Sequence, residues 1–125
     1  MECAAVAKRI LAVDDSVSMR QMVGHTLRGA GYEVMQAGDG VEALELARSG
    51  TADLVLTDVH MPRMDGIHLV RELRALPAYK FVPMLILTTE SSQEKKLDGK
   101  RAGATGWIVK PFNPEQLLST IAKVI

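Results

Sequence analysis

The sequence has little of several features that mark particular classes of protein. It contains one cysteine, Cys3, so no internal disulfide can form, which is compatible with a reducing compartment. Fifteen basic side chains are balanced by fifteen acidic ones, which leaves a net charge of zero. The chain therefore lacks the basic excess that general nucleic-acid binding and attachment to anionic membrane surfaces both require.

Long apolar runs are missing as well. Even the run at residues 84–87 (MLIL) falls far short of a membrane span. Residues 1–8 (MECAAVAK) lack the basic start and the apolar centre of a signal peptide, so we expect a short N-terminal tail there. The length of 125 residues fits one domain, over residues 9–125. A soluble, cytoplasmic, single-domain protein is expected.

Short apolar runs alternate with longer amphipathic segments along the chain. Four runs are too short for helices and are typical of strands covered on both faces of a parallel sheet. They lie at residues 10–13, 54–56, 84–87 and 107–109. Residues 32–37 alternate polar and apolar side chains, as an edge strand does. Five strands separated by helical segments predict an α/β, doubly wound domain.

Helix signals lie between these strands. Asp39 and Glu42 have the spacing of a capping box, and Asn113 followed by Pro114 marks the start of the last helix. A segment between the first two strands has helical spacing of apolar and small residues, so we expect one buried face there. Its members are Met19, Met22, Val23, Thr26, Leu27 and Ala30.

The fourth helical segment, residues 91–102, differs from the others. Its apolar residues are Leu97 and Ala102, and Gly99 in its middle costs about 1 kcal/mol relative to alanine. We therefore expect a helix that is weakly held to the sheet. It is either an ordinary solvated helix or a face that moves or is offered to a partner.

Polar side chains follow four of the predicted strands at the point where each strand ends. Asp14 and Asp15 follow the first, Asp58 the third, Thr88 the fourth and Lys110 the fifth. The carboxyl ends of parallel strands meet at one edge of a sheet, so we expect these groups to lie close together.

The chemistry of this cluster indicates a metal and a phosphoryl group. Adjacent carboxylates repel one another and recruit a cation, and oxygen ligands suit Mg²⁺. Asp58 is the best candidate nucleophile for forming an aspartyl phosphate, because Asp14 and Asp15 are adjacent and better placed as metal ligands. Lys110 would supply positive charge and the Thr88 hydroxyl a hydrogen bond to a phosphoryl oxygen.

Each residue also has an ordinary structural interpretation. Asp14 and Asp15 could cap the following helix, and Asp58 could open the turn-forming segment HMPRMDG. Thr88 could be a plain strand residue, and Lys110 a surface lysine. The placement of all of them at one edge favours the site.

The segments LAVDDS, LVLTDVHMPRMDG, LILTTE and WIVKPF, in this order and spacing, resemble the receiver domain of bacterial two-component response regulators. The resemblance extends over residues 9–125, and single-domain chemotaxis regulators are the most similar members. It implies a flavodoxin-like, five-stranded parallel sheet in the order 2-1-3-4-5 with five helices.

The resemblance also implies roles for the cluster. Asp58 would accept phosphate from a CheA-like sensor histidine kinase. Asp15 and Asp58 would ligate Mg²⁺ directly, Asp14 would act through water, and the backbone carbonyl of His60 would be a further ligand. The domain would not be an enzyme, although it would assist its own phosphotransfer and autodephosphorylation.

Further implied roles concern the phosphorylated state. Thr88 and Lys110 would hold the phosphoryl oxygens, and the bond from Lys110 to Pro111 would be cis. Thr88 and Trp107 would form a switch pair that changes the face of the fourth helix, fifth strand and fifth helix. Trp107 stands where Tyr or Phe is more usual, so it could also be a strand residue packed at the surface.

Two positions match sites that tune the phosphoryl lifetime in this family by screening water. They are His60, two residues after Asp58, and Glu90, two residues after Thr88. Both could equally be solvent-facing side chains.

Other functions fit the residues less well. A haloacid-dehalogenase-like phosphatase needs a second carboxylate where His60 stands, and a flavodoxin would not place acidic residues in its phosphate-binding loop. A receiver that acts only as an interaction module would usually have lost one of the five key residues.

Output by protein contact is expected, with no nucleic-acid or membrane partner and with a monomeric chain. A flagellar motor switch protein is the leading partner, and a phosphatase is another. The basic side chains of residues 95–101 suit that role, although such a cluster is also ordinary for a solvated helix. The alternative is a phosphate sink or phosphorelay shuttle without motor binding.

Overall fold

The computed structural model describes residues 8–89, 92–110 and 112–125, in which five strands alternate with five α-helices. The strands are β1 (Arg9–Val13), β2 (Glu33–Ala37), β3 (Leu54–Thr57), β4 (Met84–Thr88) and β5 (Gly106–Val109). The helices are α1 (Val17–Gly29), α2 (Gly40–Ser49), α3 (Gly66–Arg74), α4 (Gln93–Ala102) and α5 (Pro114–Val124), with a 3₁₀ turn at Pro77–Tyr79.

The strands form one parallel sheet in the order β2-β1-β3-β4-β5. This confirms the flavodoxin-like, doubly wound fold and its strand order. β3 and β4 are buried along their whole length, which explains their continuous apolar runs. β2 lies at an edge and is partly exposed, in agreement with its alternating pattern.

Helices cover both faces of the sheet. α1 and α5 pack on one face through Val23, Leu27, Leu117 and Ile121. α2, α3 and α4 cover the other face, and their buried side chains form a second apolar core. Among helices in the described part of the chain, none combines the length and apolar character that a membrane crossing requires.

Short polar side chains begin the helices. Asp39 accepts a hydrogen bond from the Glu42 amide at 2.8 Å, and Asn113 accepts one from the Glu115 amide at 2.7 Å, which confirms both residues as N-caps. The Glu42 carboxylate accepts from the Gly38 amide at 2.6 Å, one residue before the position that a capping box uses. Ser16, Asp65 and Ser92 cap α1, α3 and α4 in the same way. Because each helix starts just after a strand ends, these caps lie at the carboxyl edge of the sheet.

The predicted buried face of α1 is only partly right. Val23 and Leu27 are buried, but Met22 is 45% exposed and Ala30 lies beyond the helix end at an exposed position. α1 covers the side of β1 and β2 near the sheet edge, so its apolar stripe is narrower than the spacing alone indicated.

Candidate functional site at the carboxyl edge of the sheet

Asp14 directly follows β1 and is held by four separate partners. Its amide donates to the Ala37 carbonyl at 3.1 Å, and its Oδ1 accepts from the Ser16 amide at 2.9 Å. Its Oδ2 accepts from Lys110 Nζ at 2.8 Å, and its carbonyl oxygen accepts from Arg20 Nη1 at 2.6 Å. Ser16, not Asp14 or Asp15, caps α1, so the two carboxylates are not needed as helix caps.

Asp58 follows β3 and is positioned by the backbone around it. Its Oδ1 accepts from the Val59 amide at 2.6 Å, and its carbonyl accepts from the Thr57 hydroxyl at 2.9 Å. Gly66, the first residue of α3, lies so close that a Cβ there would overlap the Asp58 carbonyl. Glycine at this position therefore allows α3 to begin directly against the candidate nucleophile.

Lys110 follows β5 and connects the two carboxylates. Its Nζ lies 2.8 Å from Asp14 Oδ2 and 3.2 Å from Asp58 Oδ2, and its side chain is 9% exposed. Burial by itself would lower the pKa of Lys110, but hydrogen bonds and attraction to Asp14 and Asp58 outweigh it and raise that pKa. The ammonium group therefore stays charged at neutral pH.

The carboxylates of Asp14, Asp15 and Asp58 form the core of the site. One oxygen from each lies within 4.8 Å of the others, with Asp14 buried, Asp58 half-buried and Asp15 exposed. Hard oxygen ligands that converge from two loops, with one side open to water, are the donor set that Mg²⁺ uses in proteins. The residues therefore fit a magnesium ion, with three carboxylates against one ammonium group.

Thr88 is the last residue of β4 and is fully buried. Its carbonyl accepts a hydrogen bond from the Lys110 amide at 2.7 Å, which joins the ends of β4 and β5. The structure therefore brings Thr88 to the same sheet edge as the three carboxylates and the lysine, as the sequence predicts.

Trp107 lies in β5, half-buried against the core under α4. A Cβ on Gly99 of α4 would lie 2.8 Å from Trp107 Cζ3 and 3.1 Å from Ile86 Cδ1. The glycine that weakens α4 is therefore the residue that makes room for the indole. Leu97 is 46% exposed, so α4 has little apolar surface against the sheet.

His60 is exposed, two residues beyond Asp58. The other expected tuning residue, Glu90, lies outside the described residues, as do Pro111 with its expected cis bond and residues 1–7 of the N-terminal tail.

Sequence reasoning missed two residues of the site. The sequence predicts a turn at Gly66, whereas in the structure Asp65 is the N-cap of α3 and Gly66 its first residue. Arg20 had no signal at all, because its partner is a backbone carbonyl and every residue has one.

A second arginine, Arg63, holds the loop that carries His60 through an ion pair with Asp39. Arg63 has a φ of 67° and binds Asp39 Oδ2 through Nε at 3.1 Å and Nη2 at 2.7 Å. Hydrogen bonds from the Glu42 amide and from Arg63 lower the pKa of Asp39. The loop after β3 is thus attached to the start of α2.

Comparisons with known proteins agree with this geometry. Residues 10–122 match the model of the response regulator receiver domain family. A curated relative, the chemotaxis protein CheY-3 of Vibrio cholerae, is 38% identical over 117 residues, covering 93% of this chain and 90% of that protein.

Solved structures are similar over the whole fold. The chemotaxis protein CheY4 of Vibrio cholerae has a TM-score of 0.93 and 55% identity, covering 96% of this chain and 100% of that one. The receiver domain of sensor histidine kinase PA1611 from Pseudomonas aeruginosa has a TM-score of 0.88 and 28% identity, covering 95% and 98%. That structure has a magnesium ion coordinated in its active-site cleft.

Proposed function

Because this chain belongs to the response regulator receiver domain family and is CheY-like, we propose that Asp58 accepts a phosphoryl group from a histidine kinase in a Mg²⁺-dependent reaction. The observation that supports this most is the cluster of Asp14, Asp15 and Asp58 around the Lys110 ammonium group at one edge of the sheet. As a receiver, the chain is a signalling domain and not a conventional enzyme.

The reaction is a displacement at phosphorus. An Asp58 carboxylate oxygen forms the new oxygen–phosphorus bond, and the bond from phosphorus to the donor's imidazole nitrogen breaks. The electron pair of that bond stays on the imidazole, which leaves as a neutral group once it is protonated. The product is an acyl phosphate on Asp58.

The side chains of this site would orient and neutralise the reacting groups. Bound Mg²⁺ would supply positive charge for the phosphoryl oxygens, with Asp15, Asp58 and the His60 carbonyl as direct ligands and Asp14 acting through water. Lys110 already contacts Asp58 Oδ2 and would move to a phosphoryl oxygen as that carboxylate is esterified. Thr88 would donate its hydroxyl to another oxygen.

The same groups would govern loss of the phosphoryl group. Water attacking phosphorus in line with Asp58 regenerates the carboxylate and releases phosphate, which is autodephosphorylation. His60 is exposed, two residues after Asp58, and would screen that water, as would Glu90, which follows Thr88 by two residues in the sequence. The lifetime of the acyl phosphate would therefore depend on these two side chains.

Output would use the face formed by α4, β5 and α5. A groove of about 340 Å³ lies there, lined by Lys96, Lys100 and Trp107 among others. On phosphorylation Thr88 would move toward the phosphoryl group and Trp107 would turn inward, which changes this face.

Chemotaxis control is the pathway that the relatives support, since CheY-3 and CheY4 are chemotaxis proteins. We propose a CheA-like kinase upstream and a flagellar motor switch protein or a phosphatase as partners. The receiver domain would span residues 9–125, behind a tail of residues 1–8, and act as a monomer in the cytoplasm. Capture of motor switch peptides by the beryllofluoride-bound protein separates this role from a phosphate sink, which would bind none.

Intact-mass spectrometry tests the phosphoacceptor directly. Incubation with acetyl phosphate and Mg²⁺ should add the mass of one phosphoryl group, and EDTA should prevent the addition. The Asp58→Asn variant should gain no mass. An adduct that persists in this variant, or none in the wild type, contradicts the assignment of Asp58.

A further inference from the structure

Arg20 is the fourth residue of α1, and its side chain points back toward the end of β1. Its Nη1 donates to the carbonyl oxygen of Asp14 at 2.6 Å. That carbonyl belongs to the peptide unit that joins Asp14 to Asp15. The hydrogen bond therefore fixes the rotation of this peptide unit, because a carbonyl oxygen that is held cannot turn without breaking the contact.

Asp15 depends on the backbone for its position. The side chain is exposed, and none of the hydrogen bonds among the described residues holds its carboxylate. Asp14, by contrast, is held at its amide and at both carboxylate oxygens. One Asp15 carboxylate oxygen lies within 4.8 Å of an oxygen of each of the other two. The backbone of Asp15 is fixed on its C-terminal side by the Ser16 amide, which donates to Asp14 Oδ1, and on its N-terminal side by the Asp14–Asp15 peptide that Arg20 holds.

Arg20 is also adjacent to the cluster in space. Its side chain lines a cavity of about 10 Å³, which is also lined by Asp14, Thr57 and Asp58. The guanidinium group is always charged, so it places a positive charge near the metal site. This charge by itself would weaken binding of a divalent cation.

We propose that Arg20 is a positioning residue for the metal site: it holds the Asp14–Asp15 peptide so that Asp15 faces the other carboxylates. This inference rests on the magnesium site of the proposed function. Its two physical effects have opposite signs, since loss of orientation weakens Mg²⁺ binding whereas loss of charge strengthens it. The direction of the change in affinity therefore decides between them.

Calorimetric titration with MgCl₂ measures this direction without any phosphoryl donor. Arg20→Met keeps the aliphatic stem but removes the donor and the charge. It should raise the dissociation constant for Mg²⁺ by about tenfold. Arg20→Lys keeps a donor and the charge, so it should recover most of the affinity. Arg28→Met, at an exposed position in the last turn of the same helix, should match the wild type.

Tighter or unchanged Mg²⁺ binding by Arg20→Met would overturn the proposal, and so would a loss of equal size in Arg28→Met. Circular dichroism in EDTA checks that each variant is folded. If Arg20→Met does not fold, Arg20→Gln takes its place, and we expect the same rise in the dissociation constant for Mg²⁺. The titration needs no phosphoryl donor, so it would still test the role of Arg20 if Asp58 did not accept phosphate. A wild type that binds no Mg²⁺ would refute both the metal site and the role of Arg20.

Discussion

At the scale of single residues, Lys110 is the centre of charge balance in the site. It neutralises part of the charge of Asp14 and Asp58 while nearly buried itself. Arg20 positions the backbone at Asp14 through a hydrogen bond to its carbonyl oxygen. Gly66 lets α3 approach the backbone of Asp58, because it has no side chain. The site is therefore built as much from backbone placement as from the acidic residues.

Replacement of Lys110 should lower the free energy of unfolding, and bound Mg²⁺ should restore most of it. Lys110→Met leaves two carboxylates close together without their cation, and it should lower the free energy of unfolding by about 2–4 kcal/mol in EDTA. Saturating Mg²⁺ should recover most of this loss. Urea unfolding with and without Mg²⁺ measures it, and an equal loss in both conditions would show that charge balance is not the cause.

The same variant predicts a pH dependence. The pKa of Lys110 is raised in the folded state. The contribution of its charge to the free energy of unfolding is therefore complete below the unfolded-state pKa of about 10.4, and it is lost as the pH rises through the folded-state pKa. The difference between wild type and Lys110→Met in EDTA should therefore be constant from pH 7 to about 10 and shrink above that. A difference that grows at alkaline pH would contradict this.

Tyr79 illustrates a buried polar group far from the site. Its hydroxyl donates to the Gly50 carbonyl and accepts from the Ala52 amide, both at 2.9 Å. Tyr79→Phe should lower the free energy of unfolding by about 1–3 kcal/mol, because both backbone groups lose their partner. Tyr32→Phe is the matched control, since no hydrogen bond among the described residues involves its hydroxyl. Equal effects of the two changes in thermal unfolding would refute this account.

At the scale of elements, α4 packs against the sheet only lightly, because the residues that it buries are small. Gly99 and Ala102 are its buried positions, and the indole of Trp107 fills the space beneath Gly99. The C-terminal end is held more firmly, because Arg74 donates to the Gly103 carbonyl through Nε and Nη2. α4 is therefore anchored at one end and lightly packed along its length.

Gly99→Ala should not behave as helix propensity predicts. Propensity alone would add about 1 kcal/mol of stability. The added Cβ would lie 2.8 Å from Trp107, so we expect a loss of about 1–3 kcal/mol and a red-shifted tryptophan emission as the ring is displaced. Gly29→Ala, with no atom within 4 Å of the added carbon, should be neutral or stabilising. A more stable Gly99→Ala with unchanged emission would contradict the packing.

The strands, helix caps and site cluster could be predicted because each has a local or topological cause. Apolar runs indicate buried strands, and parallel topology then brings Asp14, Asp58 and Lys110 to one edge. The contacts of Arg20 and Arg74 could not be predicted, since both bind backbone carbonyls that carry no sequence signal. The exposure of Met22 was missed because helical spacing gives the direction of a face but not its width.

At the scale of the whole molecule, Mg²⁺ should stabilise the folded chain because unfolding separates the carboxylates. At 100 times the dissociation constant the gain is about 2.7 kcal/mol by mass action. Thermal unfolding in MgCl₂ against EDTA should show this shift, and Asp15→Asn should reduce it by removing one ligand. Equal stabilisation of this variant, or of the wild type by NaCl at the same ionic strength, would indicate a non-specific salt effect.

The central claim is that Asp58 carries the acyl phosphate. Borohydride reduces an acyl phosphate to an alcohol, so treatment after incubation with acetyl phosphate and Mg²⁺ should convert one aspartate to homoserine. Fragmentation mass spectrometry should locate homoserine at position 58 alone. Homoserine at position 14 or 15, or at no position, would contradict the account.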